Sequence, residues 1–295
     1  MSNAVFFGPF IGELGWELSR WQGFCRFRTE KEFKDKEIIV ASFPGRAPLY
    51  WGIATRFIPL PDWFLDFGYD VDSYESVGMS PSEYGRLLNY FRQFYDPSTT
   101  KEIRTPRGCT FLLTSFYQQK INKLISSDNA IQKRDSLVGE RPYVVISARG
   151  RSRSSFRNWP EEYWEALCYS ILTTYPDLLL VIVGAPNGSF LKRFGGDRVV
   201  NAIFTPKEES IDLSIAFFEK AVCSITSQSG STHLSLQSLC PSLILGHERQ
   251  RHAVDENYLK SPVMFVETQD YKVSSKFVID SFAQFYEEIK KRRVS

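Results

Sequence analysis

Two kinds of hydrophobic pattern alternate along the chain. Short runs that are apolar at nearly every position occur at Ala4–Phe7, Glu37–Ala41, Tyr143–Ser147, Leu178–Val183, Val199–Phe204, Lys220–Cys223 and Ser242–Leu245, with a weaker one at Phe111–Leu113. Such runs predict strands buried on both faces, as a parallel sheet requires. Between them lie stretches whose apolar residues recur at helical spacing. Leu18, Trp21, Phe24 and Cys25 form one such face, and Trp164, Leu167, Cys168 and Ile171 another. Ile211–Lys220 and the segment from Leu234 continue the pattern, and Gln118–Glu140 has a polar, lysine-bearing helical character. The end of the chain, Ser275–Arg293, is an amphipathic helix carrying Phe277, Ile279, Phe282, Phe285, Tyr286 and Ile289.

Strand, loop, helix repeated in this way is the signature of an open α/β sheet, whose ligands bind beyond the C-terminal ends of the strands. A chain of 295 residues is long for one core and suits two domains. The natural break precedes the strand at Tyr143, giving domains at 1–138 and 139–274, with helix 275–295 expected to fold back on the first. Residues 59–95 are rich in aromatics and prolines and show little periodicity.

Composition narrows the function classes. With 36 basic residues against 34 acidic ones, nothing in the overall charge demands nucleic acid or a membrane. No apolar run approaches a bilayer span, and no signal peptide is evident. The five cysteines are odd in number, scattered and without CxxC spacing, so a reduced, cytoplasmic setting and no structural zinc site are expected.

The candidate chemistry sits in loops that follow strands. After Tyr143–Ser147 come Arg149, Arg151, Arg153 and Arg157, spaced by Gly and Ser, and then a helix opened by Pro160 with Glu161 and Glu162 in its first turn. The planar guanidinium fork pairs with phosphate oxygens, so this loop suits a diphosphate. A second loop, Ser227-Gln228-Ser229-Gly230-Ser231-Thr232-His233, lies between a strand and a helix, where hydroxyls, backbone N–H groups and the helix dipole favour an anion. The alternative for this loop is an ordinary capped helix. Gly184 opens a turn that could approach a flat base. In the first half, Glu13 and Glu17 flank a helix start after Ala4–Phe7, and an acid at a crevice mouth is a candidate general base. Their alternative role is to complement the helix dipole. Arg46 lies on the turn after the second strand. Gly8, Gly12 and Gly15 have the wrong spacing for a dinucleotide fingerprint. Asp70-Val71-Asp72 could hold a divalent ion, but it does not end an apolar strand.

At Arg157-Asn158-Trp159-Pro160-Glu161-Glu162-Tyr163-Trp164 and at Ser229-Gly230-Ser231-Thr232-His233-Leu234 the chain resembles the heptosyltransferase-like glycosyltransferases. Their pattern is a basic residue before Trp-Pro-x-Glu-x-Trp, then a later T/S-G-x-x-H-L loop. The resemblance covers roughly 143–252. It implies a GT-B-like fold of two Rossmann-like, doubly wound domains facing across a cleft. It implies a nucleotide-diphosphate sugar as donor substrate, no resident cofactor and no metal. Carried over, Arg157 takes the basic phosphate contact, Arg149 begins the loop over the diphosphate, and Ser229, Gly230, Ser231, Thr232 and His233 hold it. Arg151, Arg153, Gly184 and Glu248 complete the expected donor side. The acid that activates the acceptor corresponds to Glu13 or Glu17, with Gly12 and Arg46 on the acceptor side. Gln228 departs from the pattern, which often has Asp there.

The expectation is an inverting, metal-independent glycosyltransferase. Its acceptor is a glycan, a lipid-linked sugar or a modified DNA base. The rivals are a sugar-nucleotide epimerase or hydrolase of the same fold, and a non-catalytic nucleotide- or nucleic-acid-binding protein using the arginine loop.

Overall fold

The computed structural model describes residues 3–65, 79–105, 118–152 and 154–294. The expected strand at Phe111–Leu113 lies outside them, as do Asp70, Asp72 and Arg153. The chain divides into two compact units, Met1–Asn122 and Lys123–Ser295.

The first unit contains a parallel sheet of β1 (Ala4–Phe7), β2 (Glu37–Ser42), β3 (Arg56–Pro59) and β4 (Thr100–Ile103), in the order β3-β2-β1-β4. After β1 the chain makes one helical turn at Leu14–Trp16, a π-helical stretch at Glu17–Trp21, and helix α1 (Gln22–Glu32). Helix α2 (Pro81–Phe91) begins at a capping box in which Ser80 and Glu83 satisfy each other's backbone N–H. Phe6, Ile39, Ile58, Phe64, Leu87 and Phe91 form the core against the sheet.

The second unit holds a six-stranded parallel sheet. Its strands are β5 (Tyr143–Ser147), β6 (Leu179–Ile182), β7 (Val199–Asn201), β8 (Cys223–Ser227), β9 (Ser242–Gly246) and β10 (Val263–Glu267). Their order is β10-β9-β8-β5-β6-β7, the doubly wound order of a dinucleotide-type domain. Every residue of β5, β6, β8 and β9 is buried, and β5, β6 and β9 are mainly apolar. β8 lies later than the expected Lys220–Cys223 run and is the polar Cys-Ser-Ile-Thr-Ser, whose buried Ser224 and Thr226 hydroxyls bond with those of Ser235, Ser242 and Thr232. Helices α3 (Asp128–Val138), α4 (Glu161–Thr174), α5 (Lys207–Lys220), α6 (Gly230–Gln237) and α7 (Ser275–Val294) complete the unit.

The division falls earlier than the sequence predicts. Only Asp128–Val138 of the expected 118–140 helix forms, and it belongs to the second unit. Its N-cap Ser127 donates to Asp212 Oδ2 at 2.6 Å, and Arg134 donates to the carbonyl of Ala216 at 3.1 Å. Helix α7, expected on the first domain, instead buries Val278, Phe282, Phe285, Tyr286 and Ile289 in the core of the second, against α4. Trp159 adds a hydrogen bond from its indole N–H to the carbonyl of Val273, just before that helix, at 2.8 Å. Among the described residues, no helix is long and apolar enough to cross a membrane.

Candidate functional site

In a sheet ordered this way the direction of winding reverses between β5 and β8, and ligands bind beyond the C-terminal ends of those two strands. β5 and β8 are paired in register, Ser147 opposite Thr226. The arginine loop leaves the end of the first, and the Ser229 loop leaves the end of the second. Both loops singled out in the sequence therefore emerge side by side at the switch point.

The arginine loop is held by its own side chains. Arg149, 5% exposed, donates to Asn158 Oδ1 and to the carbonyl of Ser154 at 3.1 Å. Asn158 also receives the Arg151 N–H at 3.3 Å and donates to the Arg151 carbonyl at 2.8 Å. Arg149 thus braces the loop from inside, while Arg151 and Arg157 are half-buried. The Arg157 Nη2 donates to the main-chain carbonyl of Gln228 at 2.6 Å, joining the two loops. Farther along, Trp159 and Trp164 are fully buried in the core, and Glu161 accepts the Leu191 N–H at 2.9 Å. The Trp-Pro-x-Glu-x-Trp run is thus a structural anchor for the loop before it.

Gly184, with φ +149, opens the turn after β6, and a Cβ there would come within 2.0 Å of Ser189 Oγ. Only glycine fits that backbone and that space. The neighbouring segment meets the arginine loop through Gly150 N–H to the Gly188 carbonyl, 2.9 Å.

Across the switch point, Ser229 is the extended N-cap of α6, with no side-chain cap bond of its own. Ser231 is half-buried, and Gly230 removes bulk at the first turn, so main-chain N–H groups of this turn are available to an anion. Thr232 points inward: its hydroxyl donates to the Ser227 carbonyl at 2.8 Å and lies 2.9 Å from Thr226 Oγ1. His233 is 3% exposed, with its Nε2 3.3 Å from Glu256 Oε2.

Gln228 is the hub of this side, which the sequence did not reveal. Its side-chain carbonyl receives the His247 N–H and the Tyr271 hydroxyl, both at 3.0 Å, and its NH2 donates to Glu248. A carboxylate at 228 would face Glu248 as a like charge; the neutral amide can donate to it. Glu248 is held at about 2, first by the His252 imidazole beside it and also by Arg251 and His247, against the opposing effect of burial. Burial pushes the Tyr271 phenol up, while the neighbouring Arg157 guanidinium pulls it down.

In the first unit, the two acids after β1 have different surroundings. Glu17 is fully buried on the π-helical stretch. It accepts from Ser42 Oγ at 2.5 Å and Tyr50 OH at 2.5 Å, and pairs with Arg46. Arg46, 4% exposed, also donates to the Gly12 carbonyl at 3.0 Å. Burial first, then the Glu17 charge, drives the Tyr50 phenol and the Cys25 thiol well above their ordinary values. Glu13 is half-buried at the N-cap of the first turn, one residue from the tethered Gly12. Gly12, Glu17 and Arg46 are thus brought together as one buried network whose outer neighbour is Glu13. The sequence did not indicate Ser42 and Tyr50.

No family model matches the sequence, and no curated protein matches it. Comparison with solved structures is different. The Escherichia coli ADP-heptose lipopolysaccharide heptosyltransferase II aligns over 98% of this chain and 100% of its own, with TM-score 0.64 at 13% identity. A family 9 glycosyl transferase from Veillonella parvula aligns over 97% and 98%, with TM-score 0.61 at 12% identity. The E. coli heptosyltransferase WaaC, solved with ADP, aligns over 97% and 99%, with TM-score 0.58 at 15% identity. The chain has the GT-B fold of the heptosyltransferases.

Proposed function

We propose that the protein is a glycosyltransferase that moves a sugar from a nucleotide-diphosphate sugar to an acceptor hydroxyl. The observation that carries this reading is the meeting of the two loops at the β5/β8 switch point, tied by Arg157 and Gln228. The structural likeness to enzymes solved with ADP or named for ADP-heptose supports a nucleotide diphosphate as the ligand.

On this reading the half-buried Arg151 and Arg157 and the N–H groups of Gly230 and Ser231 receive the diphosphate. Arg149, Asn158 and Gln228 position them, Gly184 lets the neighbouring turn approach the nucleotide, and Glu248 fixes Gln228. These fixed cations and dipoles stabilise the leaving diphosphate, so the transfer step itself needs no metal ion. The first unit supplies the acceptor side. Glu13 takes the acceptor proton, and the buried Glu17–Arg46–Gly12 network orients the loop that carries it. One base without a carboxylate nucleophile gives a single displacement with inversion at the anomeric carbon. The acceptor is a saccharide, free or lipid-linked, and the setting is cytoplasmic, where nucleotide sugars are available.

The test is calorimetric binding of UDP, GDP, ADP and CMP and their sugars, followed by turnover without added divalent cation. One nucleotide binds, binding is weakened in Arg157→Ala, and the product anomer is inverted. Binding of none of them overturns the donor site; retained configuration overturns the mechanism.

A further inference from the structure

The second unit also holds a buried cluster that the transfer reading does not use. Helix α6 contributes His233, and the π-helical stretch Gln250–Asp255 contributes His252, followed at its C-cap by Glu256. All three are buried, at 3%, 3% and 1% exposure. One ligand atom from each lies within 4.8 Å of the others.

The separations are informative. Glu256 Oε2 stands 3.3 Å from His233 Nε2 and 3.6 Å from His252 Nδ1. A separation of 3.6 Å is too long for a hydrogen bond, and neither ring nitrogen of His252 makes one. Both distances do fit the edge of a tetrahedral site: two ligands about 2.0–2.1 Å from a zinc ion lie about 3.4 Å apart. The surroundings resemble the outer sphere of such a site. Arg251 Nε donates to the other carboxylate oxygen, Glu256 Oε1, at 2.9 Å, which fixes the direction in which Oε2 points. The far nitrogen of His252 faces Glu248 Oε2 at 3.6 Å, on the side where a carboxylate stands behind a metal-bound imidazole but short of the hydrogen bond that ion binding would draw closed. Two carboxylates, Glu248 and Glu256, against one guanidinium, Arg251, leave a net negative charge to offset a dication.

We propose that His233, His252 and Glu256 bind one divalent transition-metal ion of the zinc class. Two imidazoles and one carboxylate select zinc, cobalt or iron over magnesium or calcium. Three protein ligands leave the fourth position of the tetrahedron to a water, and with all three buried the ion is shut off from substrate and holds the fold. It pins the π-helical stretch after β9 to α6, and so steadies the end of the switch-point loop that carries Ser229. This differs from the absence of zinc expected from cysteine spacing, because these ligands are histidines 19 residues apart on two elements, outside any CxxC pattern.

The full chain, stripped with a chelator and shown by circular dichroism to remain folded, is titrated with cobalt(II). One equivalent binds, gives visible ligand-field bands and is displaced by zinc. Glu256→Gln abolishes the bands, and Glu248→Gln, behind the imidazole, weakens binding by about 10–100-fold. A folded chain that binds no cobalt overturns the proposal and leaves the cluster as a proton-sharing imidazole–carboxylate group. Binding unchanged in folded Glu256→Gln overturns it as well. X-ray absorption on the zinc-loaded wild type needs no variant: a coordination sphere lacking imidazole nitrogen rejects the site.

Discussion

Arg157 and Gln228 lie 71 residues apart in sequence, yet the Arg157 guanidinium donates at 2.6 Å to the Gln228 carbonyl. The bond closes the arginine loop after β5 onto the Ser229 loop after β8, and it engages a single nitrogen of the fork. Arg157→Ala therefore loses both the tie and the cation. Calorimetry should show nucleotide-diphosphate affinity falling by about 10–100-fold, the worth of a hydrogen bond to a charged group at 1.5–3 kcal/mol. Arg157→Lys restores only part of it, since the ammonium lacks the fork. Unchanged affinity in the alanine variant would remove Arg157 from the donor site.

Gly184→Ala tests the turn after β6 separately from any ligand contact. The new Cβ would sit 2.0 Å from Ser189 Oγ on a backbone at φ +149. The backbone alone should cost about 1–3 kcal/mol in denaturant unfolding. Adding Ser189→Gly removes the collision but leaves the backbone strain, so it restores only part of the loss. Full recovery in the double variant would show that φ at 184 costs nothing.

The sequence revealed the second unit better than the first, for a reason visible in individual strands. β5, β6 and β9 are buried at every position and announce themselves as apolar runs, whereas β8, equally buried, is the polar Cys-Ser-Ile-Thr-Ser and lies later than the Lys220–Cys223 run expected there. β3, β4 and β10 were not foreseen; each is a sheet edge with half-exposed residues, as in the Thr-Lys-Glu-Ile of β4. Half-exposed edges carry no strong period, and pairing with the next strand decides them. The arginine loop and the Ser229 loop could be read because phosphate chemistry needs recognisable residue types. Gln228, Tyr271 and Asn158 could not, since their roles depend on contacts set by the fold. His233 shows the same limit: its place in a recognisable loop says nothing of where its ring turns.

Acid should weaken the first unit through Glu102. Arg92, hydrogen-bonded to its carboxylate, and then Arg104 and Tyr95 hold Glu102 down, from an ordinary 4.5 to about 2, against the effect of burial. A carboxylate depressed on folding stabilises fully above its unfolded value and loses that stabilisation as pH falls through the folded one. Melting temperature should thus fall between about pH 4.5 and 2. Glu102→Gln should be less stable at pH 7 and show a flatter decline over that window. An identical decline in the variant would place the acid sensitivity elsewhere.

Glu13 and Glu17 are four residues apart and separate stability from chemistry. Glu17 is buried with Ser42, Tyr50 and Arg46 around it, so Glu17→Ala leaves the Arg46 guanidinium in the interior without its counter-charge. Breaking such a pair by removing one partner costs about 3–5 kcal/mol, and urea unfolding should register it directly. Glu13 is half-buried at the N-cap of the first turn and makes no side-chain cap bond there. Glu13→Gln should leave the unfolding midpoint nearly unchanged while lowering turnover by about 10²–10⁴-fold, the usual contribution of a general base. Nucleotide binding, which the proposed donor site puts in the second unit, should be the same in both variants. The reverse result, full turnover in Glu13→Gln with turnover lost in a folded Glu17→Gln, would move the proton transfer to Glu17 and make Glu13 a helix-start acid only.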